Sequence, residues 1–241
     1  MRITFLGTSH GVPEPNRKCS CTMIEAGGKI YFIDMGTPAV DGLRTRMIDI
    51  DSVKGVFITH MHGDHSNGLI PFTDIVNWYF RSADPDIVVP DMGAYHAIKA
   101  WLEVTKVPLN REIRFRETVV GLVYDDGVVR VTAFPTQHCA KSYAFLIESD
   151  GKNVLFTGDL RNPNIDFPDI PTDIVLDLIV CEAAHFEATD YLPYIRGREI
   201  RKICVNHYSD RFLPSVFSLF KEISDMDIPS VLATDDLEIV V

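Results

Sequence analysis

The chain has little of what marks a secreted, membrane-bound or nucleic-acid-coating protein. Its five cysteines (Cys19, Cys21, Cys139, Cys181 and Cys204) are an odd count among 241 residues, and no two form a CxxC pair. That pattern excludes a disulfide framework and leaves reduced thiols in a cytosolic protein as the expectation. No apolar run approaches the roughly 18 residues that a spanning helix needs, and no charged leader precedes the strand-like "RITFLG" that follows Met1. The expected location is therefore cytoplasmic, with no membrane partner. Positive charge is scarce too, with 23 Lys and Arg against 34 Asp and Glu, a net charge of −11. Basic patches supply most of the affinity for extended nucleic acid, so this balance argues against such a partner. No Ser/Gly/Pro-rich linker, low-complexity tract or repeat divides the sequence, and residues 1–241 read as a single domain.

Short apolar runs rich in Val, Ile and Phe are plentiful. "RITFL", "TMIEA", "KIYFID", "VKGVFIT" and "DIVVP" occur in the first part. "VRVTAF", "YAFLIES", "NVLFTGD", "DLIVCE", "KICVNH" and "LEIVV" occur in the second. Their length and composition suit buried strands. "GGKI", "DDGV" and "SDGKN" read as tight turns between antiparallel neighbours. Helices are expected over "SNGLIPFTDIVNWYF", capped by Ser66 or Asn67, over "DMGAYHAIKAWLEVT" from Asp91, and over "LPSVFSLFKEISDM", with Pro214 in the first turn. Strands alternating with helices give an α/β fold on a mixed sheet.

The chemistry concentrates at strand ends. "THMHGDH" (residues 59–65) holds three of the eight histidines and an aspartate in seven positions. "VFIT" runs into His60, "VTAFPTQ" into His138, "VLFTG" into Asp159 and "KICVN" into His207. In α/β folds, the loops at the carboxyl ends of strands converge on one crevice. Neutral imidazole and carboxylate suit Zn²⁺ and related divalent ions. His60 and His62, two apart on a loop, can face one ion, while Asp64 and His65 swing toward a second. Two ions need more ligands than this loop supplies, and the other strand ends provide them.

"THMHGDH", "TQHCAKSYAF", "VLFTGD" and "CVNHYSDRF" resemble the metallo-β-lactamase-fold hydrolases, whose first signature is H-x-H-x-D-H. The resemblance covers nearly the whole chain, including "ITFLGTSHGVPEPNRKCSC" near the start. It is nearest the ribonuclease Z-like phosphodiesterase branch, on "FLGTSHGVP", "SYAFLIESDGKNVLFTGD" and "LIVCEAAHF". It implies an αββα sandwich of two mixed sheets flanked by helices, with two divalent metal ions at one edge. Zinc is the first expectation and manganese or iron the alternatives. Carried over, His60, His62 and His138 hold the first ion, Asp64, His65 and His207 the second, and Asp159 bridges. A His62, where the oxygen reductases of the superfamily carry Glu, favours hydrolysis over redox chemistry. Asp64 orients the attacking water and accepts its proton. Cys139 reads as a small packed thiol and not a ligand.

This chain also departs from that branch. The segment "EATDYLPYIRGREIRKICVN" lacks the branch's His-Ser-Thr element, which leaves His185, with Glu182 or Glu187 to orient it, as the candidate proton donor. His10 is a candidate substrate contact, and His96 reads as surface or packing. There is no Gly/Pro-rich insertion of the kind that forms a tRNA-grasping arm. The expected substrate is therefore a small phosphodiester, such as a cyclic nucleotide or cyclic sugar phosphate. A carboxyl ester (lactone or thioester) is the alternative on the same core, and a non-catalytic metal-bound sensor is a third reading. The sequence leaves the oligomeric state open, a homodimer included.

Overall fold

Burial follows the apolar runs, and each run becomes a strand whose two faces meet different layers. The computed structural model describes residues 1–241. β1 (Arg2–Gly7), β2 (Cys21–Ala26), β3 (Lys29–Met35), β4 (Val53–Phe57), β5 (Asp86–Val89) and β6 (Arg114–Glu117) build a first sheet. β7 (Gly121–Asp125), β8 (Arg130–Pro135), β9 (Tyr143–Ser149), β10 (Lys152–Phe156), β11 (Leu178–Ala183), β12 (Ile203–Tyr208) and β13 (Ser230–Leu232) build a second. β14 (Glu238–Val240) then returns to pair antiparallel with β1. Each sheet has seven strands and mixes both pairings. The three Gly-containing turns do join antiparallel neighbours. Asp150 and Gly151 both take positive φ (52° and 70°), which a two-residue turn matched to sheet twist requires.

Side chains segregate into three apolar layers. Ile3, Phe5, Ile33 and Phe57 of the first sheet meet Val131, Phe145, Val154 and Val180 of the second between the sheets. On the outer face of the first sheet lie α1 (Ala39–Thr45), α2 (Gly63–Ser66), α3 (Leu69–Trp78) and α4 (Gly93–Val104), with Leu43, Phe72 and Ile98 packed inward. α5 (Pro163–Asp166), α6 (Leu192–Ile195) and α7 (Leu213–Ser224) cover the second sheet through Ile195, Val216, Leu219 and Ile223. This is an αββα sandwich, the architecture expected from the sequence.

Two helix starts differ from expectation. Neither Ser66 nor Asn67 caps α3, which begins at Leu69 after Gly68. The Ser66 hydroxyl bonds back to the His62 carbonyl at 3.0 Å, and the Gly68 amide donates to Met35 O at 2.7 Å. The turn before α3 is thus taken by the histidine cluster. α4 begins at Gly93, whose amide is held by the Asp91 carboxylate at 2.7 Å, so Asp91 precedes the helix without opening it.

One carboxylate ties the sheets together away from the histidines. Asp126, in the β7–β8 turn, accepts from Lys29 Nζ (2.8 Å), Tyr31 OH (2.8 Å) and Tyr124 OH (3.1 Å) through Oδ2. Its Oδ1 accepts from the amides of Val128 and Val129, both at 3.0 Å. Burial opposes the charge, but the Lys29 ammonium and these donors outweigh it and hold the carboxyl pKa below the usual range. Asp126→Ala leaves the Tyr31 hydroxyl without its acceptor and should cost about 2–4 kcal/mol in urea unfolding. Because the folded pKa lies below the unfolded value near 4, the wild-type contribution is complete above that pH. It is lost as acid protonates the folded carboxyl. An unchanged urea midpoint in the variant would show that the inter-sheet tie carries no load.

Candidate metal centre

β4 delivers its chain to the seam between the sheets, where Thr59 is fixed before the histidines begin. The Asp34 carboxylate at the end of β3 accepts from Thr59 N (2.8 Å) and Thr59 Oγ1 (2.9 Å). Asp34 has φ of +58°, a left-handed conformation that costs a non-glycine residue energy and is kept only where the surroundings impose it. Its Oδ2 also meets His65 Nδ1 at 2.6 Å. Two residues on, Gly36 lets the β3–α1 turn touch the histidine loop, since a Cβ there would sit 1.7 Å from the Asp64 carbonyl oxygen. A side chain at position 36 would push Asp64 and His65 out of place.

The His and Asp residues expected from the sequence come together here. His62 Nδ1 lies 3.0 Å from His60 Nε2 and 3.1 Å from His138 Nε2. His65 Nε2 lies 3.4 Å from Asp64 Oδ2, and His207 Nε2 lies 3.7 Å from the same oxygen. Asp159 stands between the groups, 3.8 Å from His60 Nε2, 3.7 Å from His138 Nε2, 3.4 Å from His65 Nε2 and 3.3 Å from His207 Nε2. His60, His62 and His138 form one trio with ligand atoms mutually close, and Asp64, His65 and His207 form another. Donors bound tetrahedrally at about 2.1 Å from one ion lie about 3.4 Å apart. Most of these separations fall near that value, while ordinary hydrogen bonds would be shorter.

Unmet bonding points the same way. His65 Nε2, Asp159 Oδ1 and both ring nitrogens of His207 are buried without a hydrogen-bond partner. Buried polar groups are normally satisfied, so the orphaned atoms and the N/O donor set fit divalent ions. The charges fit as well. Burial and the neighbouring His65 push His60 down to about 2, so its ring is neutral and has a lone pair to offer a metal. For His65, burial favours the neutral form, but Asp159 and Asp34 outweigh it and raise its pKa well above the ordinary value. Burial opposes ionisation of Asp159, yet His207 and His65 hold its carboxyl well below the usual range. A divalent cation would replace the proton on His65 Nε2 and leave Nδ1–H donating to Asp34, an arrangement that fixes a ligand's tautomer.

His185 joins the cluster. It is a third exposed, its Nδ1 is 2.7 Å from Glu182 Oε2 and 3.8 Å from Asp159 Oδ2, and its ring centre is 4.7 Å from that of His138. Of the two candidate orienting residues, the structure selects Glu182, which is buried; Glu187 is exposed. Burial and repulsion from Asp159 raise the Glu182 pKa. Its other bonds go to the amides of Leu160 (2.7 Å) and Ala184 (3.0 Å), so it anchors the segment carrying Asp159 as well.

The remaining candidates are less central. His10 is half-buried and paired with Glu14 at 3.1 Å. Its neighbour Gly11 lies against the Asp64 carboxylate, where a Cβ would be 3.6 Å from Oδ2. His96 is exposed on α4 beside Tyr95. Cys139 is half-buried and not fully packed, its Sγ 3.5 Å from Lys141 O. All five cysteines are free thiols. Asp34 escaped sequence reasoning, because a lone Asp ending "KIYFID" has no spacing that sets it apart from a turn residue.

The metallo-β-lactamase fold protein YhfI from Bacillus subtilis superposes with a TM-score of 0.76 at 16% identity, covering 99% of this chain and 98% of that one. Human tRNase Z, short form, superposes at 0.78 with 20% identity over 100% of this chain and 99% of that one. Ribonuclease Z of Shouchella clausii is 32% identical over 155 residues, 63% of this chain and 49% of the relative. Ribonuclease Z of Methanothermobacter thermautotrophicus is 29% identical over 148 residues, 61% and 48%. The chain thus spans about half the length of the curated relatives it matches. It has the metallo-β-lactamase fold in its ribonuclease Z-like form. The family model described as anti-Pycsar protein Apyc1 matches residues 1–218, and the chain belongs to that family.

Proposed function

We propose that the chain is a metal-dependent hydrolase of small phosphodiesters, such as a cyclic nucleotide or a cyclic sugar phosphate. The observation that carries this reading is the convergence of His60, His62, Asp64, His65, His138, Asp159 and His207 with buried orphan atoms among them. His60, His62 and His138 would hold one ion, Asp64, His65 and His207 the other, and Asp159 both, with zinc preferred for the donor set. Bound there, the ions make water acidic near neutrality and offset charge developing on the substrate's oxygens. Relatives named ribonuclease Z favour a phosphodiester over a carboxyl ester. A small substrate fits better than RNA because of the −11 net charge. Two of the nearby cations are also engaged, Lys141 by Glu117 and Asp91 and Arg17 by Asp210.

The chain's own groups then divide the proton work. Asp64, on the solvent side of His65, orients the attacking water and takes its proton. His185 supplies the proton that the departing alkoxide needs. Burial alone would lower its pKa, but the Glu182 hydrogen bond and charge, with Asp159 behind, push it up to about 9. Glu182 holds Nδ1, so the proton on Nε2 is the one available for donation at neutral pH.

Purified protein should carry two divalent ions per chain by elemental analysis. Asp159→Ala should weaken both positions and His207→Ala chiefly one; identical losses in the two variants would overturn the bridging role of Asp159.

Hydrolysis of bis(p-nitrophenyl) phosphate should be abolished by chelation and restored by metal. Rapid lactone opening without phosphodiester turnover would move the assignment to carboxyl esters. An acid catalyst typically contributes about 10²–10⁴-fold. Nitrophenolate leaves readily without a proton, so His185→Ala should barely affect nitrophenyl esters yet slow alkyl phosphodiesters about a hundredfold or more. Equal losses on both, at unchanged metal content, would reduce His185 to a binding residue.

A further inference from the structure

Asp166 is a buried carboxylate that none of these roles uses. It ends α5, is 6% exposed and has no ion-pair partner. Its partners are all backbone amides. Oδ2 accepts from Gln137 N at 2.7 Å and from Arg161 N at 2.9 Å, and Oδ1 accepts from Asn162 N at 3.1 Å. Gln137 adjoins His138, which follows β8; Arg161 lies two residues past Asp159, which follows β10. One side chain therefore stitches together two loops that arrive from different strands and carry two of the converging side chains.

Other fastenings hold the ends of the His138 loop, and Thr136 Oγ1 at its neck also reaches Asp159 O at 3.3 Å. Thr136 and Ser142 close the neck of the His138 loop, backbone to backbone at 2.9 Å and hydroxyl to hydroxyl at 2.8 Å. At the tip, Lys141 reaches Glu117 and Asp91, but all three side chains are over 40% exposed, and such pairs hold weakly. Between neck and tip, the Gln137 amide is tied by Asp166. A buried carboxylate without a cation is costlier to keep than a neutral group. Three donors converging on two acceptor oxygens explain why it is kept. An asparagine would replace one oxygen with an NH₂ group facing an N–H, and an alanine would leave all three amides unpaired.

We propose that Asp166 is a positioning residue that sets the spacing of His138 and Asp159, whose nearest polar atoms are 3.7 Å apart, by clamping their loops to each other. The inference rests on the metal-site reading for its functional consequence, but the clamp can be read without metal. The experiment is amide hydrogen exchange by mass spectrometry on the full chain, with and without added Zn²⁺, for wild type, Asp166→Asn and Asp166→Ala, alongside turnover of bis(p-nitrophenyl) phosphate. Exchange in segments 136–142 and 159–162 should rise about tenfold or more in the variants, while peptides from β1–β4 and residues 59–65 keep wild-type protection. Turnover should fall about 10–100-fold, as for other residues that orient metal ligands, mainly in kcat, and less for Asn than for Ala. Unchanged protection over 136–142, or acceleration of equal size across the whole chain, overturns the clamp. If Asp166→Ala does not fold, Asp166→Asn decides by the same segments. Wild-type protein that binds no metal and turns over no phosphodiester would overturn the functional reading alone, since metal-free exchange still tests the clamp.

Discussion

Asp159 is 3% exposed, its Oδ1 receives no hydrogen bond, and five imidazole nitrogens stand 3.3–3.8 Å from its oxygens. A carboxylate so far from water requires positive charge close by. Protons on the imidazoles supply it only in part, because each protonated ring discourages the next; His65 depresses His60 in this way. Divalent ions would satisfy the same carboxylate with the rings of His60, His65, His138 and His207 neutral, and they compete with protons for the same nitrogens. The proposed metal pair is thus the arrangement in which the most buried groups are satisfied at once.

The fold meets this requirement by bringing strand ends to the seam and then bending them. Along β12, alternation puts Cys204 between the sheets and Val205 under the helices. His207 breaks the alternation with φ of +45°, beside a register shift between β11 and β12. Bulges of this kind re-aim side chains next to active sites. Asp34 is bent similarly at the end of β3, and Gly36 allows the closest backbone approach. Behind the converging side chains lie Asp34, Glu182 and Asp166, each spending its oxygens on the ring or backbone of a functional loop.

The sequence made most of this legible where a pattern repeats. The long buried strands were read from apolar runs, and the converging side chains from a dense motif followed by three strand ends. β6 has no apolar signature in the sequence, because "RFRE" is an edge strand whose arginines face Asp84 and Asp86. β7 and β13 are edges as well, and β13 is three residues long. The start of α3 departs from capping propensity, which favours Ser66, because the tertiary bond from the Gly68 amide to Met35 O sets it. Asp34 and Asp166 carry no sequence signature, since the contacts that give them their roles, Asp34 with Thr59 and His65 and Asp166 with the Gln137 amide, span 25 or more residues.

Exposure across the cluster is uneven, and this gives the site a direction. His60, His65, His207 and Asp159 are buried, whereas His62 and His185 are exposed and His138 and Asp64 are intermediate. A structural metal site closes its ligands around the ion, while a catalytic one leaves a face for water and substrate. Here the buried members make a rigid floor, and the wet members line one side. His185 stands on that wet side, 4.7 Å ring to ring from His138, with Glu182 holding it from behind. A phosphodiester approaching from solvent would meet the metal-facing groups and the proton-bearing imidazole together. Under the proposed function, the gradient from the dry Asp159 to the wet His185 would separate charge stabilisation from proton transfer within one cleft.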